Sequence, residues 1–286
     1  SAVSCRAATQ PAIQATLMET MGTVYTSLAL YPPAASLLDS SLQKRLELYG
    51  EDSLEVAQSA EKLGGVLTLT AEYDKAELMY RKALDLRQKQ LGPEHVDIAR
   101  SQYQLADLLF RKGENEAADP LFRQALAMRR KLIGSNTIEV AKSLEGLAMN
   151  LYNQGKYDEA AKDYTAAIDL GAREAVMFVS RGHAFYRMKR FGEALSDYGR
   201  ALEVEPNHAP ALVNRGDTYC PIVRRRGASG ERDGTHAKAG EDHSTPASTS
   251  PAQRMPGGVG RSAYANAAMP VSSRPMTSWC TSSVPS

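Results

Sequence analysis

The sequence predicts an all-α protein: a superhelix of antiparallel helix pairs, an α-solenoid, with a disordered C-terminal tail. Three observations predict it. Alanines 34, 76, 118 and 160 recur every 42 residues, and the next, Ala194, follows 34 residues later. Apolar residues between them fall at helical spacing. From residue 220 the composition changes abruptly. Repetition at such periods marks stacked units, each unable to bury its apolar faces alone.

The units share the phrase G-x-Y-x-x-A in variant form, at Ala29–Ala34, Ala71–Ala76, Gly113–Ala118 and Gly155–Ala160. Other columns keep the 42-residue step: Arg45, Arg87 and Arg129; Gly50, Gly92 and Gly134; Ala57, Ala99 and Ala141; Ser59, Ser101 and Ser143. Each unit reads as two amphipathic helices. In the first, Ala29 takes the place of the turn glycine and Pro32-Pro33 stiffens the turn. The second has Ala71 at that turn and stops at Leu91-Gly92-Pro93-Glu94-His95, where glycine ends the helix and proline forbids its continuation. The third keeps Gly113. In the fourth, Val140, Leu144, Leu147, Ala148 and Leu151 lie on one helical face. Gly155 breaks the chain, and Ala160, Tyr164, Ala167 and Ile168 face inward from the partner helix. The fifth, 34 residues long, closes at Pro206, and Ala209–Tyr219 begins a sixth that lacks its second helix. Small residues at Gly22, Gly64, Ala106, Ala148, Gly182 and Gly216 mark close helix approaches. Tyr80, Phe122, Tyr164 and Tyr198 fill the wider gaps.

The 286 residues are 43% hydrophobic with net charge +1. No run approaches the roughly 18 apolar residues of a membrane span. Of the 66 residues from Pro221 to Ser286, 39 are Gly, Pro, Ser, Ala or Thr and none is Leu, too little apolar surface to offset the entropy of ordering them. The tail carries +4 and residues 1–220 carry −3, so nucleic acid and anionic membranes are not expected partners. Arg224-Arg225-Arg226 and the lone Trp279 read as parts of a solvated tail. Cys5, Cys220 and Cys280 give neither a disulfide framework nor zinc spacing and suit a reducing cytoplasm. The opening residues are not expected to be a signal peptide, and the start at Ser1 suggests a piece of something longer. The expected division is a 1–11 extension, a 12–219 array and a 220–286 tail. Because the repeat pattern stops in mid-motif after Tyr219, two accounts of that tail stay open: a natural extension, or an off-frame translation.

The array resembles tetratricopeptide repeats. Residues 13–145 resemble the 42-residue kinesin-light-chain variety through Ala83-Leu84-Asp85-Leu86-Arg87, Leu91–His95 and Ala99, with an echo at Ala125–Ala141. Residues 175–206 are similar to the 34-residue form through Arg181-Gly182, Tyr186, Ala194, Asp197-Tyr198, Ala201-Leu202 and Pro206. Arg6–Tyr31 also resembles the lead-in to repeat regions that follow bacterial serine/threonine kinase domains. The resemblance implies a right-handed superhelix whose first helices line a concave groove.

By repeat phase that groove carries Glu19, Thr20 and Thr23, then Glu61 and Lys62, then Tyr103, Gln104, Asp107 and Arg111. Lys142, Glu145, Met149 and Asn153 follow, then Ser180, His183, Arg187, Asn214 and Asp217. These residues are expected to be free of packing, with Tyr103 and Met149 as apolar anchors and Gly146 leaving a position bare. Only Asn214 fits the clamp for acidic chaperone C-termini, where Val176, Val179 and Ser180 replace cationic or amide groups. The paired asparagines of kinesin light chains are replaced by Tyr103-Gln104 and Glu145-Gly146, so ligands of that class are not implied.

Catalytic chemistry finds no footing. None of His95, His183, His208, His236 and His243 has a second ligand at i+4, and His95 and His208 read as hydrogen-bonding residues of turns. No phosphate-loop, nucleophile-elbow or kinase-loop motif occurs, and Gly257-Gly258-Val259-Gly260 follows no strand. The expectation is a non-catalytic protein without cofactor or metal, binding a peptide or helix of a protein partner in its groove. The alternative is the regulatory or substrate-recruiting arm of a larger bacterial enzyme, a serine/threonine kinase.

Overall fold

In the computed structural model, the described residues are 2–228 for the backbone and 10–219 for side chains. They form an α-solenoid of helices with no strand among them: α1 (Ala2–Ser27), α2 (Tyr31–Tyr49), α3 (Leu54–Leu69), α4 (Tyr73–Leu91), α5 (Val96–Lys112), α6 (Asn115–Ile133), α7 (Ile138–Asn153), α8 (Tyr157–Asp169), α9 (Ala175–Arg187), α10 (Phe191–Val204) and α11 (Ala209–Ala228). Consecutive helices pack in pairs, α1 on α2 through α9 on α10, and each pair leans on the next. The helices make five pairs, with α11 single among the described residues. The described residues up to Thr218 form one compact unit.

The repeat columns are packing columns. Ala34, Ala76, Ala118, Ala160 and Ala194 are fully buried where each second helix enters the core. The gaps beside them are filled by Leu38, Tyr80, Phe122, Tyr164 and Tyr198. Leu38, Tyr80 and Tyr198 face Gly22, Gly64 and Gly182 of their own units. A Cβ added at Gly182 would lie 2.7 Å from Tyr198 Cε1, and one at Gly64 3.2 Å from Tyr80.

Helix ends follow the same phase. Ser53, His95 and Thr137 are the N-caps of α3, α5 and α7, accepting from the backbone N–H groups of Val56, Asp97 and Val140. His95 is thus a structural residue of a turn, as expected. The turns inside the pairs are left-handed at Ala29 (φ 58°), Ala71 (φ 60°), Gly113 (φ 85°), Gly155 (φ 79°) and Lys189 (φ 61°). Three of these five positions hold a side chain where glycine carries no steric cost.

Two boundaries differ from expectation. Helix α1 starts at Ala2 rather than near residue 12, because the alanine-rich lead-in favours helix even with Pro11 inside it. Helix α11 runs past Tyr219 and through Pro221 to Ala228, so its last turns include Arg224, Arg225 and Arg226 at the end where the helix dipole favours cations. Residues 220–228 are therefore helical, not an extended tail. The remaining expected tail, 229–286, with Trp279, Cys280 and the Gly257–Gly260 run, lies outside the described residues, as do the side chains of Cys5 and Cys220.

Candidate functional site

The first-helix face is built on a row of buried arginines from the second helices. Arg45 reaches from α2 to Glu19 on α1 at 2.5 Å and donates to Ser59 Oγ on α3 at 3.0 Å. Arg87 repeats this one unit on, pairing with Glu61 and donating to Ser101 Oγ. Arg129 donates to Ser143 Oγ at 2.6 Å and to the Glu139 carbonyl at 3.1 Å. Its guanidinium lies 4.9 Å from the centre of the Tyr103 ring, so a π face does in unit three what a carboxylate does in units one and two. Each arginine ties its own unit to the next. A lone buried arginine is untenable, and these have partners from both sides.

The fourth position of the carboxylate column is Glu145, but Gly171 stands where a fourth arginine would be. Among the described residues Glu145 has neither ion pair nor hydrogen bond. Burial raises its pKa first, Glu174 adds to the rise, Lys142 opposes it and Asp107 adds a little more. The break coincides with the change from 42- to 34-residue units. From there the linkage reverses: Arg181 on α9 binds Asp197 on α10 at 2.6 and 2.8 Å and Thr165 on α8 at 3.0 Å.

Not all groove residues are free of packing. Glu19 and Glu61 are buried in the arginine row, and Ser180 is buried. Tyr103 sits edge-on to Phe122 at 5.5 Å, beneath Arg129. Its ring also covers Gly146, where a Cβ would lie 3.0 Å from Tyr103 and 2.8 Å from Phe122. Gly146 does not leave a bare position; it makes room for Tyr103. Gln104 donates to Glu61 at 3.0 Å, and Asp107 pairs with Arg111 at 2.8 Å.

Lys62, Lys142 and Asn153 are exposed, and Met149 is half-buried. His183 lies against Tyr198 at 5.9 Å, with burial lowering its pKa and a hydrogen bond to Asn214 opposing that. Arg187 covers the rings of Tyr157 at 4.7 Å and Tyr152 at 6.0 Å. Asp107 and Lys142 lie within electrostatic reach of Glu145. The sequence reading missed Arg100, which joins Glu61 at 3.3 Å, and Glu174. The 42-residue spacing of Glu19 and Glu61 beside the arginine column was the signal for the pairing.

A shallow cleft of about 630 Å³ lies elsewhere, among Leu78, Leu84, Leu105, Leu109 and Leu121, and takes in none of the groove residues. Among the described residues no His, Cys, Asp and Glu group could hold a metal, and no helix is long and apolar enough to cross a membrane.

A tetratricopeptide repeat model matches residues 13–89, 73–131 and 97–173, more than half of the chain, and a second matches 179–219. No curated protein matches. Among solved structures the chain is similar to YrrB, a TPR protein with an unusual peptide-binding site, at TM-score 0.51 and 22% identity over 70% of this chain and 90% of that one. It is similar to a Podosopora anserina protein described as a kinesin light chain with nearly identical TPR-like repeats, at TM-score 0.60 and 16% identity over 70% and 98%. BtubC (BKLC) from P. vanneervenii aligns at TM-score 0.52 and 18% identity over 83% and 98%. At these identities the likeness to solved structures is one of fold. With the family models spanning nearly all of the paired helices, the chain belongs to the tetratricopeptide repeat family.

Proposed function

We propose that this protein is a non-catalytic receptor that holds an extended peptide or a helix of a protein partner along its first-helix groove. Tetratricopeptide domains in general are scaffolds that bind protein or peptide partners. The observation that carries the reading is Glu145, a carboxylate whose column position for arginine is held by Gly171. A half-buried carboxylate without a counter-ion is costly to keep and is relieved by a ligand that supplies one. Lys or Arg from a bound segment would meet Glu145 with Asp107 and Glu174 behind it. Lys62, Gln104, Arg111, Lys142, Met149, Asn153, His183, Arg187 and Asn214 supply polar and apolar contacts on either side. Tyr103 acts mainly by shaping the floor.

A random-peptide display library panned against the 286-residue chain tests this. Enriched peptides should carry Lys or Arg, and Glu145→Gln should weaken them by roughly tenfold, the cost of one charge-assisted contact. Peptides that bind the Glu145→Gln and Asp107→Asn variants as tightly as wild type would sink the groove assignment. The reading as the recruiting arm of a larger kinase uses the same groove, and the gene sequence upstream of Ser1 distinguishes it.

A further inference from the structure

We infer that α1 is a self-pairing surface, through which two copies of this chain associate by their first helices in antiparallel orientation. Helix α1 and the residue just past its end carry an apolar seam at Ile13, Leu17, Met21, Val24 and Leu28, exposed by 54, 56, 48, 51 and 62%. The spacing of 4, 4, 3 and 4 residues keeps these side chains on one stripe of a helix. Exposed apolar residues scattered singly mean little, but a continuous stripe marks an interface.

The later units show what this face is for. One repeat on, Leu17, Met21 and Val24 become Ser59, Leu63 and Val66; two repeats on, Ser101, Leu105 and Leu108. All six are buried, and the two serines receive Arg45 and Arg87 from the second helix of the preceding unit. The α1 seam is therefore the surface on which a helix rests in the later units, and that helix runs antiparallel to its host.

Leu17 defines the occupant. Where the column holds serine, the covering helix supplies an arginine. Where it holds an apolar residue, Met177 on α9, the covering helix α8 is followed by Gly171 and supplies none. A helix of the α2, α4 or α6 type would set its arginine against Leu17 in place of the serine hydroxyl that Arg45, Arg87 and Arg129 each donate to, so an occupant with no cation at that point fits better. Charge narrows it further. From Ala7 to Leu38 the only charged side chain is Glu19, already paired with Arg45. The second helices of the array, such as α10 with its exposed Arg200 and Glu203, offer no match to so neutral a face. A second α1 does, neutral against neutral and apolar against apolar. Antiparallel pairing about Met21 sets Leu17 against Val24 and Ile13 against Leu28 of the other copy, a self-complementary contact that closes as a dimer.

Sedimentation of the 286-residue chain from nanomolar to high micromolar concentration should show a monomer–dimer equilibrium. Leu17→Lys and Val24→Lys should each weaken it by at least about a hundredfold, because each symmetric contact would bury two unpaired charges. Both positions are half exposed, so the variants should melt with wild type. The register has its own readout. With Cys5, Cys220 and Cys280 changed to Ser, Met21→Cys should oxidise to a linked dimer, whereas Ile13→Cys should not. A monomer at every concentration overturns the inference, as does a dimer indifferent to both lysine variants. Equal cross-linking at residues 13 and 21 overturns the antiparallel arrangement.

Discussion

Two alanine substitutions in one helix pair should move stability in opposite directions. At Gly182 on α9 the added Cβ would lie 2.7 Å from Tyr198 Cε1 and 3.1 Å from its Cδ1. The ring has nowhere to retreat: Tyr198 is buried, faces His183 edge-on at 5.9 Å and shares a hydrogen bond with Thr218. Overpacking of this kind costs about 1–3 kcal/mol, against a gain of about 1 kcal/mol from replacing glycine inside a helix. Gly182→Ala is therefore destabilising by about 1 kcal/mol. At Gly199 on α10, one residue after Tyr198, nothing lies within 4 Å of the new Cβ. Gly199→Ala keeps the helix gain alone and stabilises by about 1 kcal/mol. For an array of this size each kcal/mol moves the melting temperature by about 2–4 °C, so the two variants should bracket wild type in thermal melts followed by circular dichroism. Gly64→Ala, at 3.2 Å from Tyr80, falls between them, since units three and four already hold buried alanines, Ala106 and Ala148, in that column. A Gly182→Ala variant that melts at or above wild type would refute the close-approach reasoning.

Ala71→Gly should stabilise by about 0.5–1 kcal/mol by relieving the left-handed φ of 60°, while Gly113→Ala at φ 85° should destabilise; urea midpoints decide both. Glu61→Ala should cost about 3 kcal/mol by leaving Arg87 buried without its carboxylate, and adding Arg87→Met should recover most of it in the same assay. Asp163 on α8 has its carboxyl pushed up to about 6 by burial, against the pull of Arg123 and Arg130. The folded state then holds a proton that the unfolded chain has released, so this contribution to stability is present below about pH 4 and is lost as pH rises to about 6. Asp163→Asn should remove that slope and stabilise the array at pH 7 by about 1 kcal/mol after allowance for the solvent-facing part of the group. Melts at pH 4 and pH 7 would show it, and an unchanged slope would count against the assignment.

Repetition made most of this fold readable. A column recurring at 42 residues must occupy equivalent surroundings, so Ala118 or Tyr164 could be placed in the core without knowing what they touch. The left-handed turns were readable at Gly113 and Gly155, and by phase at Ala29 and Ala71. Lys189 was not, because nothing in its type announces that conformation. The end of α11 was misjudged since Cys220-Pro221 looks like a break, whereas a helix already begun tolerates proline at a cost and gains from arginines in its last turns. The groove was harder. Phase places a residue on a face but does not say what reaches it from the neighbouring helix. Arg129 arrives from α6 and turns Tyr103 from a free anchor into a packed ring. Glu145 kept its place on the face because its arginine is absent, a fact visible only once Arg45 and Arg87 are seen holding Glu19 and Glu61.

The arginine-to-serine linkage also governs how such an array can lengthen. A unit that offers an arginine behind and a serine in front can be copied in tandem, since each new junction reproduces one already present. Units two and three have both ends of this kind, so duplicating or deleting 42 residues among them leaves every arginine supplied. Unit four is an adapter: Ser143 accepts Arg129, but Gly171 offers nothing onward, and Met177 asks for nothing. Moving a 34-residue unit ahead of it would set Arg129 against a methionine, and a recombinant chain carrying that junction would start with a buried arginine stripped of its serine acceptor. The two kinds of repeat can therefore vary in number but not in order.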